Sequence, residues 1–372
     1  MRLDPNIFLR VLKKNGIDFF SGVPDSLLKD FLILLESKVK KNSHVIAANE
    51  GNAVGIAVGY HLATGNIPLV YMQNSGLGNC INPLTSLTNI ESYSIPMILM
   101  IGWRGDPDEK DEPQHLLPGK ILIEQLKIMG IDYEILNNEK KFFEKIDKII
   151  HKVKKKSVPF ALVVKKNFFK ENNKKIDVKK KTMISRSEAI ETILKQLGKE
   201  DIVFSTTGKI SRELIAKKNI YKDPNVFFNV GSMGHVSSIA FGAALKKKTN
   251  IICIDGDGSF LMHLGSHAVV GSRKLPNYKY ILINNGVHES VGSQPTVAFD
   301  IDIKKIAKSF GFNRYFFSND QKSLEKNLKT IISEKGSFFL EVHVNLVDKN
   351  KLPRPEKSLV KLKKELMKKI NN

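Results

Sequence analysis

Short apolar runs of strand length alternate with stretches of helical spacing along the whole chain, and this alternation limits the fold most. In the first half, residues 5–15 have helical spacing and lead to the apolar stretch 17–20. Residues 24–38 read as a helix after a Gly-Val-Pro turn, 44–47 as a strand, and 49–59, rich in Ala and Gly, lead into a helix. Residues 68–73, 95–101 and 160–165 are further strands. The pattern then restarts: 187–197 helix, 201–205 strand, 237–245 helix, 250–254 strand, 262–271 helix, 278–283 strand, 337–344 strand, and an amphipathic helix at 358–369. Such alternation predicts parallel sheets covered by helices on both faces. Between the halves, residues 170–181 are half lysine, with only Ile176 and Val178 apolar, which is a linker composition. The chain has 372 residues, enough for two domains that each bury a core. Two α/β domains are predicted, 1–170 and 185–372, joined by a basic linker at 171–184.

The charge balance needs its own reading. Lys plus Arg is 59 against 38 Asp plus Glu, a formal charge of +21. A nucleic-acid or anionic-surface role therefore has to be weighed. The basic residues are mostly Lys and scattered, with clusters at 38–41, 152–156, 174–181, 246–248 and 361–369. No zinc-finger spacing, RRM aromatic motif or basic-zipper pattern accompanies them. They read as a solvated surface, which would also steer a small anionic substrate inward, and no nucleic-acid partner is expected. Cys80 and Cys253 make neither a disulfide framework nor a paired-cysteine metal site. The opening residues are charged and lack an apolar h-region, and the longest apolar runs are strand-sized. The expectation is a cytoplasmic protein without a membrane partner.

One segment carries chemistry. The apolar run 251–254 leads through Asp255 into Gly256-Asp257-Gly258-Ser259, and after Gly258 come 25 residues, 259–283, before Asn284-Asn285-Gly286. A strand, a crossover helix and a parallel neighbour strand would bring Asp257 and the asparagine pair to one carboxyl edge, where such folds bind ligands. A carboxylate with amide and carbonyl oxygens suits Mg²⁺, which also takes phosphate oxygens. Gly258 lets backbone approach those phosphates, and Ser259 would open a helix whose amides favour anions. The plain alternative is a tight turn with solvated polar residues.

This spacing resembles the diphosphate–magnesium motif of the thiamine diphosphate enzymes. The resemblance implies Asp257, Asn285 and the carbonyl of Val287 as Mg²⁺ ligands, with Asn284 the alternative one position earlier. It implies that Gly256, Gly258 and Ser259 lie along the diphosphate, with Thr207 and Gly208 of the Thr206-Thr207-Gly208 turn a weaker match. Asn49-Glu50-Gly51-Asn52-Ala53 resembles the family's glutamate turn, which makes Glu50 the carboxyl that bonds N1′ of the aminopyrimidine. An exposed first-turn glutamate favoured by the helix dipole is the alternative there. Gly231-Ser232-Met233-Gly234 resembles the loop that holds the cofactor bent, with Met233 the wedge.

Longer members carry a middle domain, which a short basic linker replaces here. The segments 22–26, 73–79, 102–105, 111–115, 205–212 and 288–295 resemble the phosphonopyruvate decarboxylases, with the sulfopyruvate decarboxylases near relatives, and they span most of the chain. The resemblance implies two thiamine-diphosphate-binding-fold domains, pyrimidine-binding (Pyr) then diphosphate-binding (PP). It implies decarboxylation of 3-phosphonopyruvate to phosphonoacetaldehyde in phosphonate biosynthesis, and a homo-oligomer with sites at subunit interfaces. A phosphonate needs fixed donors and cations. Asp25, Ser26, Asn74, Arg104, His115, Lys209 and Arg212 are the candidates, with Ser26 starting a helix. His288 is a candidate acid near the cofactor, and Trp103 reads as packing. A nicotinamide dehydrogenase is the main rival outside the class, but Gly76-Leu77-Gly78 lacks the third glycine in register.

Overall fold

The computed structural model describes residues 1–171, 184–217, 225–346 and 352–371. The chain divides into two compact units, Met1–Asp177 with Ser290–Pro295, and Val178–Glu289 with Thr296–Asn372. Most of the expected linker lies outside the described residues.

The first unit is built on β1 (Phe20–Gly22), β2 (His44–Ile46), β3 (Leu69–Gln73), β4 (Ile98–Gly102), β5 (Asp132–Leu136) and β6 (Phe160–Val164). They form one sheet in the order β2-β1-β3-β4-β6-β5, every pair parallel. Strand side chains alternate between faces, and each face has its own apolar cluster. Tyr71, Ile98, Met100 and Leu162 sit in one, and Val70, Met72, Leu99 and Ala161 in the other. Burial on both faces is why β4 and β6 are unbroken apolar runs.

The second unit repeats this plan with β7 (Ile202–Ser205), β8 (Asn225–Phe228), β9 (Ile251–Gly256), β10 (Tyr278–Asn284) and the strands Arg314–Ser318 and Phe338–His343. Its order from the β8 edge is β8-β7-β9-β10, then Phe338–His343, then Arg314–Ser318, again all parallel. Both sheets therefore share one strand order. Each reverses direction of growth beside its first strand, between β1 and β3 and between β7 and β9. That crevice is where ligands bind in open parallel sheets.

Two expected helices differ. The helix expected from residue 24 begins at Lys29. The Asp25 carboxylate accepts the Leu27 amide at 2.9 Å, a local turn that competes with helix, and Leu28 supplies no side-chain cap. Ser26 therefore does not start a helix. The helix expected at 262–271 is two short ones, Asp257–Met262 and Ser266–Ser272. The first starts directly off β9, which places Ser259 inside it, and the chain leaves helical geometry at His263 (φ −130°, ψ 48°). Among the described residues, no helix is long and apolar enough to cross a membrane.

Candidate active site

In the first unit the polar residues gather at the carboxyl ends of β1, β3 and β4. Asn49 caps the helix Glu50–Thr64 by accepting the Asn52 amide at 2.9 Å, so Glu50 opens that helix. Glu50 is only 5% exposed, and its Oε2 accepts from Asn79 Nδ2 at 2.7 Å. Gly76 makes the closest approach: a Cβ there would stand 2.2 Å from Glu50 Oε1.

Across the β1–β3 crevice, buried Asp25 accepts from Gln73 Nε2 at 2.8 Å. Burial raises its pKa above the ordinary carboxylate value, against the hydrogen bonds of Gln73 and the Leu27 amide and the charge of Arg104. Arg104 is held at both ends. Its backbone exchanges two hydrogen bonds with the Asn74 side chain, at 2.9 and 3.0 Å. Its guanidinium forks onto Asp111, with Nε at 2.7 Å from Oδ2 and Nη2 on Oδ1, while Nη1 donates to the Ser26 hydroxyl at 3.1 Å. Asp25, Ser26, Asn74 and Arg104 are thus brought together. His115 lies on the following helix, Pro113–Ile128. Trp103 donates to the Gly119 carbonyl at 2.9 Å and is buried, as a packing residue would be.

In the second unit β9 and β10 are adjacent, with Ile283 opposite Gly256, so the aspartate and asparagine loops leave the sheet side by side. Asp257 is 3% exposed. Burial raises its pKa to about 6, against the Thr296 hydroxyl at 2.5 Å and the backbone amides of Asp257, Asn285 and Gly258. Asn285 lies on the turn, its Oδ1 accepting the Val287 amide and its Nδ2 donating to Glu289, each at 3.1 Å. Asn284 is buried and turned inward, its Nδ2 donating to Glu341 at 3.0 Å. That leaves Asn285, not Asn284, on the loop beside Asp257.

Ser259 ties three loops. It accepts from the Gly234 amide and from the Thr206 hydroxyl, both at 3.1 Å, across the β7–β9 crevice. Thr207 donates to the Val230 carbonyl at 3.1 Å, and Gly208 takes a positive φ of 89°. Met233 follows Gly231 and Ser232, whose φ is +50°. Gly258 is the tight point. A Cβ on it would lie 2.7 Å from the His288 ring and 3.3 Å from the Met233 methyl. Burial lowers the His288 pKa to about 4, which keeps it neutral near pH 7. Lys209, read as a substrate cation, donates to Glu289 at 2.6 Å.

Several residues here had no role in the sequence reading. Thr296 bonds Asp257 and Glu289 bonds Asn285, while Asn79, Gln73 and Asp111 hold Glu50, Asp25 and Arg104. Gln73, Asn79, Asp111 and Glu289 lay in segments singled out without a role for them, and their partners lie from 4 to 48 positions away.

Residues 5–133 match the thiamine pyrophosphate enzyme N-terminal TPP binding domain, and residues 207–342 match the C-terminal TPP binding domain. A phosphonopyruvate decarboxylase of Streptomyces viridochromogenes is 29% identical over 357 residues, covering 92% of this chain and 88% of that protein. A sulfopyruvate decarboxylase of Methanosarcina acetivorans is 28% identical over 357 residues, covering 90% and 89%. The sulfopyruvate decarboxylase subunit beta of Methanothermobacter thermautotrophicus is 36% identical over 162 residues, covering 44% of this chain and 83% of the subunit. With both binding domains matched and its relatives decarboxylases along nearly their full length, this chain belongs to the thiamine pyrophosphate enzymes.

Proposed function

We propose that the protein decarboxylates 3-phosphonopyruvate to phosphonoacetaldehyde and CO₂ with thiamine diphosphate and Mg²⁺. The observation that carries this reading is the full-length relation to phosphonopyruvate decarboxylases. The clamped Arg104 supports it, because a multiply charged group calls for a fixed guanidinium.

The residues fit the cofactor and metal. Asp257, the Asn285 side chain and the Val287 carbonyl form a hard-oxygen donor set suited to Mg²⁺. Asp257 is buried and, among the described residues, forms no ion pair with a basic side chain, so a divalent cation would offset the cost that raises its pKa. An amide oxygen has two lone pairs, so Asn285 Oδ1 retains one beyond its bond to Val287. Gly256, Gly258 and Ser259, at the start of the helix Asp257–Met262, and the turn at Thr207 and Gly208 would receive the diphosphate. Gly231, Ser232 and Met233 would flank the rings.

Bound thiamine diphosphate supplies the electron sink for loss of CO₂. Glu50 would hold and return a proton at N1′ of the pyrimidine, its carboxylate kept in place by Asn79. His288, neutral by burial, would accept or donate a hydrogen bond beside Gly258. Arg104 and Ser26 would receive the phosphonate, with Asp25 and Asn74 beside them and His115 and Lys209 the remaining candidates. The active form in this reading is a homo-oligomer.

A second reading is favoured by the sulfopyruvate decarboxylases of comparable identity and coverage: the substrate is sulfopyruvate. The test is purified protein with thiamine diphosphate and Mg²⁺, offered phosphonopyruvate, sulfopyruvate and pyruvate separately. The highest kcat/KM is expected on phosphonopyruvate. A preference for sulfopyruvate selects the second reading, and no turnover of any 2-oxoacid rejects both.

A further inference from the structure

Behind the metal loop lies a buried ionic cluster that the reaction itself does not call for. Arg186, the first residue of the helix Arg186–Gln196, is 3% exposed. It donates through Nε and Nη2 to Glu213 Oε1, at 3.0 and 2.6 Å, and through Nη1 to Glu289 Oε2. Lys209 donates to the other oxygen of Glu289 at 2.6 Å. Two carboxylates face two cations, of which Arg186 is buried and Lys209 is partly exposed. Glu289 is the member that touches the loop, accepting from Asn285 Nδ2 at 3.1 Å.

We infer that Glu289 is a positioning residue for the metal, acting through Asn285. The inference rests on the proposed Mg²⁺ site. An asparagine amide has two faces, and a flip exchanges a donor for an acceptor. The Glu289 carboxylate already receives the Arg186 guanidinium on one oxygen and the Lys209 ammonium on the other, so it faces Asn285 as an acceptor. It therefore selects the flip in which Nδ2 points back and Oδ1 points away from the cluster, the atom a hard cation needs. The Val287 amide, donating to that oxygen, reads the same orientation from the other side. Outer partners of this kind orient metal ligands and commonly change affinity by about 10–100-fold.

The test titrates Mg²⁺, and Mn²⁺ in parallel, into full-length protein with thiamine diphosphate. Cofactor binding is followed by calorimetry and Mn²⁺ by electron paramagnetic resonance, so turnover is not the readout. Glu289→Gln, which presents either an acceptor or a donor to Asn285, is expected to weaken metal binding by about 10–100-fold. Asn285→Asp alone sets two carboxylates face to face and is also expected to weaken it. Asn285→Asp with Glu289→Gln exchanges amide and carboxylate and is expected to recover at least about tenfold over Asn285→Asp. A purely structural cluster gives no such recovery. Should Glu289→Gln not fold, Arg186→Gln/Glu289→Gln removes one charge of each sign and takes its place, with the same expected loss. Asp257→Asn separates the two readings. If it weakens metal binding while Glu289→Gln does not, or if the exchange brings no recovery, the positioning role is wrong. If Asp257→Asn leaves metal binding intact, the metal site itself is misassigned.

Discussion

The contact between Gly76 and Glu50 allows the first half-site to be tested without any ligand. A Cβ at Gly76 would lie 2.2 Å from Glu50 Oε1, 2.4 Å from Cδ and 2.6 Å from Cγ. Ordinary contacts start near ~3.5 Å, so in Gly76→Ala the carboxylate must retreat by about 1 Å or more. It cannot do so cheaply, because Glu50 is buried and bound to Asn79 at 2.7 Å. Overpacking costs about 1–3 kcal/mol. Losing a hydrogen bond to a charged group costs about 1.5–3 kcal/mol. Against this, replacing glycine gains about 0.4–1 kcal/mol through the unfolded chain. The net expectation is a loss of about 2–4 kcal/mol, a fall in Tm on the order of 5–15 °C. The three nearest atoms all belong to Glu50, so the penalty should shrink to below about 1 kcal/mol in a Glu50→Ala background. Denaturant unfolding of the wild type, both single variants and the double variant closes the cycle. Equal cost of Gly76→Ala in both backgrounds would refute the argument, since the glycine would then be required by something other than the glutamate. A coupled pair would also bind thiamine diphosphate more weakly in Gly76→Ala, by the same displaced carboxylate.

Two further outcomes are expected. Asp111 is buried enough that desolvation works to raise its pKa, yet its bonds to Arg104 and to the Glu112 and Gly105 amides hold it well below the usual carboxylate range. Asp111→Asn should release the guanidinium and raise KM for phosphonopyruvate about tenfold, with kcat changed less than about threefold and pyruvate unaffected; steady-state kinetics on both substrates decide it, and an equal loss on both would remove Arg104 from substrate selection. His267 is buried between Phe260 and Tyr280, and burial lowers its pKa from 6.5 to about 3. The unfolded chain then binds the extra proton between those values, so this group's effect on stability falls as pH drops from about 6.5 towards 3, by up to about 1.4 kcal/mol per unit. His267→Leu should flatten that limb in urea unfolding at pH 7, 6 and 5; an unchanged slope would show that the acid sensitivity comes from other groups.

What could be read from the chain was what short-range patterning encodes. Strands buried on both faces, β4 and β6 among them, announce themselves as apolar runs. Three of the four edge strands do not: β5, β8 and Arg314–Ser318 are only partly buried, carry polar residues, and passed unread, while β2 was read. The helix Pro113–Ile128 was hidden by Pro118 inside it. Loop chemistry followed the same division. Asp257 and Asn285 were legible because a strand, a helix and a strand fix their separation, whereas Glu289 and Arg186 are 103 positions apart and pair only once β10 and the helix Arg186–Gln196 are in place. The ion pair of Lys209 was not legible for the same reason. A lysine beside the Thr206-Thr207-Gly208 turn looks free in sequence, and the fold commits it to a carboxylate 80 positions away. Charge count therefore says little about which cations meet a substrate. Of the first unit's basic residues, Arg104 is singled out because Asp111 and Asn74 fix its direction and leave Nη1 facing Ser26 at the rim of the crevice.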